Sequence, residues 1–482
     1  MLRRIFIVSI LISTVAVMGC KIEGKVTENG KGVEGITVTL SGDASMSTTT
    51  DADGNYVFAN IKPGDYEVKP ADAKSTFKPP SKDVKIDKKN KIAHADFEIT
   101  TSPPEPPASL PPWSTYQGNA AHTGYVPVSL NTDNFDEGRT YNIIGNVPLN
   151  PVAAGDGKVF VTTGGDNGPH MAIALDSSDG RTLWTHNFGN IDFISPPAYA
   201  NGTVYIQSGV GMDSYLWAFD AASGDGIFQT GYDNQAFRFY APTIYDDGNV
   251  YMGGGYGGAY GFNGSNGDEL WYVEWNSPYE QWTPAVNDTH VIAYSGFYNP
   301  QLTVIDRSTG EVDFTIPDPN FDLTGFSGFI MDLAPVLGSQ NNVIAIQDGR
   351  LISFDLTNQS IGWEKPKGDG EGFIGQPSLA NEVIFAVYDG SLRAINESDG
   401  SFIEELQPWQ PPEGESIVTP MIVTDNLIFV STESVTYAVD LESQSEVLVY
   451  SAGGHLALSD DGVLFIATAE GNLVAISTIA ME

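Results

Sequence analysis

From residue 151 to its end the chain repeats itself about every 43 residues. Aligned on the residue that closes an apolar run before a tight turn, the copies fall at Asp176, Asp220, Asn263, Asp306, Asp355, Asn396, Asp440 and Ser477. The gaps are 44, 43, 43, 49, 41, 44 and 37 residues. This is the period of a four-stranded propeller blade. A proline opens each of the first seven copies: Pro151, Pro197, Pro242, Pro284, Pro335, Pro377 and Pro420. Proline suits the first residue of a strand, where a missing N–H is tolerated. An apolar strand follows ("KVFVTT", "TVYIQS", "VIFAVY", "LIFVST"), then a third strand ending on the Asp or Asn. Four residues on stands Gly180, Gly224, Gly267, Gly310 or Gly400, and eight residues on stands Trp184, Phe228, Trp271, Phe314 or Trp363. Asp and Asn bond to turn backbone and glycine allows positive φ. The aromatic is expected to fill the wedge between neighbouring sheets. One such sheet cannot bury both its faces, so the copies must stack into a ring.

The eighth copy, "HLALSDDGVLFIATAEGNLVAIS", ends after its third strand. A strand candidate without a copy of its own, "RTYNIIGNVP" (Arg139–Pro148), precedes the first. It is expected to supply the missing outer strand and leave no open edge. The expected fold is therefore all-β: an eight-bladed propeller, or seven-bladed if the last copy merely caps.

The lead-in "WSTYQGNAAHTGYVP" (Trp113–Pro127), followed by copies of the form A-x-D-x-x-[ST]-G-x-x-x-W, resembles the pyrroloquinoline-quinone-like (BamB-like) propeller repeat family over roughly residues 113 to 480. That resemblance implies one of two functions, a quinone-dependent dehydrogenase or a non-catalytic outer-membrane assembly lipoprotein. The dehydrogenase pattern it would imply includes a vicinal cysteine pair, absent from a chain whose one cysteine is Cys20. No CxxCH haem motif, GxSxG, Walker or Rossmann string stands in the right context. His94, His122, His170, His186, His290 and His455 lack metal-ligand spacing. We expect no enzymatic activity, no cofactor and no catalytic residue, with the dehydrogenase as the less favoured reading.

The first residues read as an address. Arg3 and Arg4 precede an apolar run, Ile5 to Met18, too short to span a bilayer and of export-signal length. It ends in Val17-Met18-Gly19-Cys20, which resembles a bacterial lipobox and implies lipidation at Cys20. Lys21, not Asp, follows, and the resemblance to enterobacterial sorting then implies the outer membrane, its periplasmic or surface face left open. The expected domains are residues 1–19, signal peptide; 20–100, a small β-sandwich; 101–112, a linker with six prolines; and 113–482, the propeller. The sandwich rests on short alternating runs with Gly, Asp and Asn between them. Its feature order resembles carboxypeptidase-regulatory-like and SdrD-B-like domains of prealbumin or carbohydrate-binding-like fold. Asp51, Asp53 and Asn55 in "DADGN" are spaced as calcium ligands, but the same string suits a hairpin turn, which is the expected role.

The formal net charge is −38, and residues 101–482 carry nine Lys and Arg against 48 Asp and Glu. Such a surface repels nucleic acid. The expected partners are the membrane, through the N-terminal lipid, and an envelope protein bound by the propeller as a scaffold. The alternative is a surface module binding glycans. The chain is expected to be a monomer. Long connections in copies 2 to 5 place Phe237, Arg238, Tyr240, Trp275, Tyr279, Trp282 and Tyr298 on one expected ligand-binding rim, where rings stack on sugars or anchor a peptide.

Overall fold

The computed structural model describes residues 20–28, 31–71, 76–87, 89–100, 111–165, 168–210, 213–233, 240–254, 258–274, 281–296, 299–321, 332–406 and 409–479. The expected signal peptide and residues 101–110 of the expected linker lie outside them. The chain divides into two compact units, residues 1–108 and 109–482.

The first unit is a β-sandwich. Its long strand Cys20–Glu28 pairs antiparallel with Asn55–Ile61 and parallel with Ile92–His94 and Phe97–Thr100. The facing sheet runs Met46–Thr49, Thr37–Gly42, Gly64–Ala71, Lys82–Ile86. Strict alternation in "NYVF" and "GDYEVKPA" buries Tyr56, Phe58, Tyr66 and Val68 against Ile22, Val38 and Leu40.

The second unit is an all-β propeller, whose only described helical element is one 3-10 turn, Thr132–Asn134. Among the described residues, a two-strand parallel pair, Gln281–Trp282 with Asp332–Leu333, joins two of the connections, and eight sheets of three to five strands follow one another along the chain. The first is Ala153–Gly155, Lys158–Thr162, Gly168–Asp176 and Thr182–Ile191, each strand pairing antiparallel with the next. The innermost strands of the first to fourth sheets lie side by side in turn, as do those of the fifth to eighth, and that of the eighth, His455–Leu458, meets that of the first. The strand predicted at "RTYN" does complete the eighth sheet: Arg139–Asn142 pairs antiparallel with Asn472–Ser477. The sixth sheet has three strands, not the expected four. In place of its outer strand, single bridges join Ile395 to Phe402 and Leu392 to Trp409. The intervening "EELQPWQPPEGES" holds three prolines, which cannot donate to a ladder.

The repeat motif is a joint between sheets. Trp184, Trp271 and Trp363 each donate the indole N–H to a backbone carbonyl of the following sheet: Ala221 at 2.9 Å, Arg307 at 2.9 Å and Glu397 at 2.8 Å. Each ring lies flat on that sheet's turn glycine. A Cβ on Gly224 would stand 2.7 Å from Trp184, and on Gly310 or Gly400 2.6 Å from Trp271 or Trp363. These glycines have φ between 71° and 76°, so the position needs glycine for both its conformation and its lack of a side chain. Six outer strands carry a bulge just before the wedge residue, at the register shifts opposite Ala174/Leu175, Ala218/Phe219, Gly261/Phe262, Val304/Ile305, Ser353/Phe354 and Ala438/Val439. A bulge re-aims the following side chain and blunts an edge strand against pairing with another chain.

Candidate functional site

The lead-in Trp113–Val126 threads the axis of the ring. Its carbonyls accept backbone N–H groups from one innermost strand after another. Trp113 takes Ala154 at 2.9 Å, Ser114 takes Tyr199 at 2.7 Å, and Ala120 takes Val286 at 2.8 Å. Ala121 takes Leu337 at 3.0 Å, Thr123 takes Leu379 at 2.8 Å, and Gly124 takes Val423 at 2.8 Å. Three polar side chains bind the carbonyls of the opening prolines: Thr115 Oγ1 to Pro242 at 2.7 Å, Gln117 Nε2 to Pro377 at 2.7 Å, and His122 Nε2 to Pro284 at 2.9 Å. His122 Nδ1 meets Tyr116 O at 2.7 Å, and the residue is 0 % exposed. Burial pushes the imidazole pKa down, against the upward pull of those two carbonyls.

Tyr116 stands in the axis beside Ala241 and Ala334, with Tyr240 edge-on to it at 4.8 Å. Buried amides brace this layer. Gln376 makes two hydrogen bonds to Ala334, and Gln207 donates to Tyr240 O at 2.8 Å while accepting from Tyr232 Oη at 2.6 Å. At this level the Tyr116, His122 and Tyr240 rings stand against one another near the axis.

Of the residues expected on the rim, Phe237, Arg238, Trp275, Tyr279 and Tyr298 lie outside the described residues. Tyr240 is half-buried against Tyr116. Trp282 is 3 % exposed and packs with Tyr251, Trp271, Val286 and Val291, so it belongs to the core between the third and fourth sheets and not to a rim. It stands two residues before the opening Pro284, where the innermost strand is already buried. In the sandwich, Asp51 Oδ1 accepts the N–H of Asn55 at 2.8 Å and of Asp53 at 3.0 Å. Asn55 N–H first, then Asp53 N–H, hold its carboxyl below the usual range. The three residues thus close a turn, and among the described residues no three acidic, His or Cys side chains are grouped to hold a metal ion. Cys20 is 8 % exposed, a free thiol at the edge of the sandwich core. A register shift separates it from the regular pairing that resumes at Ile22.

Two features had no sequence signal beyond strand alternation. His186 and Phe188 of the first sheet and Tyr215 and Trp217 of the second form a half-buried aromatic cluster, with Phe188 edge-on to Trp217 at 5.4 Å and His186 5.7 Å from it. Between the fourth and fifth sheets Arg350 holds Asp318 in a two-pronged pair, at 2.7 and 3.1 Å. Tyr294 Oη donates to Asp318 at 2.8 Å, and Glu364 lies 3.4 Å from Arg350. Burial, then the Asp318 charge, pushes the Tyr294 pKa well above its usual value.

The family model described as outer membrane protein assembly factor BamB matches residues 145–279 and 234–450, and the chain belongs to that family. A model of the second β-sandwich domain of BOS complex subunit NOMO1-like proteins matches residues 17–100. Among solved structures, BamB from Moraxella catarrhalis is similar at a TM-score of 0.53 and 15 % identity, over 71 % of this chain and 99 % of that one. A europium-containing methanol dehydrogenase is similar at a TM-score of 0.54 and 11 % identity, over 77 % of this chain and 98 % of that one. The likeness to both is one of fold. Serine/threonine-protein kinase AfsK of Streptomyces griseus is 31 % identical over 114 residues, 23 % of this chain, and the match spans 13 % of the kinase's length.

Proposed function

We propose that this member of the BamB family is a lipid-anchored protein of the outer membrane whose propeller is a non-catalytic scaffold for another envelope protein. The observation that carries the reading is the family match across residues 145–450. The axial layer supports the non-catalytic part, since Tyr116, His122 and Tyr240 occupy space that a ligand on the axis would need. The lipobox-like end of the apolar leader supports the anchor. Acylation at Cys20 requires its sulfur to leave the core edge, and the register shift before Ile22 lets it do so while the rest of the strand stays paired. The docking sector lies on the long connections of the second to fifth sheets, with Trp275 and Tyr279 as anchors.

The deciding experiment is cross-linking and affinity capture from envelopes of the source cell. The reading expects a defined envelope protein cross-linked to the second to fifth sheets, with capture weakened about tenfold by Trp275→Ala with Tyr279→Ala. Capture of glycan alone, or dye-linked oxidation of alcohols with added quinone, would replace it. For the anchor, mass spectrometry of the mature N-terminus is expected to find acylated Cys20, and Cys20→Ala to leave unprocessed precursor. Wild-type processing of that variant refutes the anchor.

A further inference from the structure

We infer that the ring opens first at one seam, by release of the closing strand Arg139–Asn142 from the eighth sheet. Four residue pairs hold it, Arg139 with Ala475 through Asn142 with Asn472. The outer strands of the first five sheets and of the seventh run to between five and ten residues, and the sixth sheet has bridges in place of one. Cavities flank it on both sides. One, of about 630 Å3, lies toward the seventh sheet among Tyr450, Ser451, Gly453 and Asn472, and the other, of about 420 Å3, toward the first sheet among Met171, Ile173, Leu175 and Thr185. Thr140 lines both. Both are open to solvent, so the strand makes fewer packing contacts on those sides than a filled joint would.

The wedge chemistry is also weakened here. Tyr141 takes the place that tryptophan holds elsewhere, and its ring covers Gly180 as Trp184 covers Gly224. Where each of those tryptophans clips a carbonyl of the next sheet, the Tyr141 hydroxyl is buried with no hydrogen-bond partner among the described residues. A buried polar group without a partner disfavours the closed state. The strand carries no bulge, and its residues are exposed but for Tyr141. Its flank is tied as well, Ile143 and Ile144 donating their N–H groups to Gly471 O and packing on the core with Tyr141, and further ties are polar. Arg139 donates to Ser178 O at 2.7 Å, Asn142 to Asn472 at 3.1 Å, and Asp136 accepts from Ser477 N at 3.0 Å. Local opening draws on segments with exposed hydrogen bonds, and three of the four residues of this strand are exposed.

Native-state hydrogen exchange of the full chain tests the seam. Amides of residues 139–142 and 472–475 are expected to exchange at least tenfold faster than those of Leu427–Thr432, the second strand of the seventh sheet. Tyr141→Trp supplies a larger ring and an indole N–H, and is expected to slow exchange in the seam severalfold. In a Cys20→Ser background, Thr140→Cys with Val474→Cys joins directly opposed residues. Oxidation is expected to raise the melting temperature by several degrees over the reduced form. Seam amides that exchange with the core, or a cross-link that leaves the melting temperature unchanged, overturn the inference. A tryptophan variant that fails to fold leaves the exchange of the wild type and the cross-link to decide.

Discussion

His122 has an acceptor carbonyl at each ring nitrogen, Tyr116 O at 2.7 Å and Pro284 O at 2.9 Å. A neutral imidazole carries one N–H. The hydroxyl of Thr243, 3.3 Å from Nε2, donates to the same Pro284 O at 2.8 Å, so that carbonyl keeps a donor whichever ring nitrogen carries the proton. Burial favours that neutral state and sets the folded-state pKa below the ordinary 6.5. His455, also pushed down by burial, acts in the same sense. With a depressed folded-state pKa, the stabilisation is full above about 6.5 and is lost as pH falls from there toward the folded value. Urea midpoints measured between pH 8 and pH 5 are therefore expected to fall. His122→Gln, which does not titrate, is expected to be destabilised by about 2 kcal/mol at pH 8 but to lose less on acidification. An unchanged slope assigns the acid sensitivity elsewhere. The wedge residues set a second expectation. Trp271→Ala opens a cavity and orphans the Arg307 carbonyl, and is expected to cost about 3–5 kcal/mol. Exposed Leu270→Ala next to it is expected to cost under about 1 kcal/mol.

At the scale of the element, the joint between the fourth and fifth sheets departs from the motif. Its turn carries Gln359 at φ 51°, as the seventh sheet's carries Gln444 at φ 54°, where the first four sheets and the sixth have glycine. The Asp318–Arg350–Glu364–Tyr294 cluster fastens the same pair of sheets. Removing one partner of a buried pair leaves an uncompensated charge, so Arg350→Met is expected to cost about 3–5 kcal/mol. Asp318→Asn in the same chain should recover part of that cost, because the fully buried Asp318 charge is then gone, and thermal melts of the four forms measure the coupling. Additive losses would mean the pair is not coupled. The comparison also shows what a reader of sequence can find. Asp176, Gly180 and Trp184 lie within one turn and strand, so local spacing exposes the joint. Arg350 and Asp318 lie 32 positions apart, and no period links them. Trp282 misleads because "EWNSPYEQW" has a loop's composition, although its last residue is buried and pairs in parallel with Leu333 of a later connection. His122 and Tyr116 were visible only as part of a lead-in string. Their place on the axis depends on a ring that local pattern does not draw.

At the scale of the molecule, the acidity settles into the turns. Asp176, Asp220, Asp306, Asp355 and Asp440 each accept turn N–H groups, and the Ser308 hydroxyl, then the Thr309 N–H, hold Asp306 down to about 2. The carboxylates that make the turns are thus ionised across the physiological range, with few cations near. Residues 101–482 hold nine Lys and Arg, and two of them, Arg307 and Arg350, are spent on inter-sheet contacts. Two effects then compete as salt is added. Surface ion pairs weaken, which destabilises, while repulsion among the excess carboxylates is screened, which stabilises. Exposed pairs contribute about 0–1 kcal/mol each, and the propeller has few, such as Arg181 with Asp176 at 3.4 Å. Repulsion acts among some 40 unpaired charges, which is roughly the excess of 48 acidic over nine basic residues. Raising ionic strength from about 0.01 to 0.5 M shortens the screening length from roughly 30 Å to under 5 Å. The melting temperature is therefore expected to rise by several degrees over that range with sodium chloride. A fall would show that the few cations stabilise the ring more than the many carboxylates strain it.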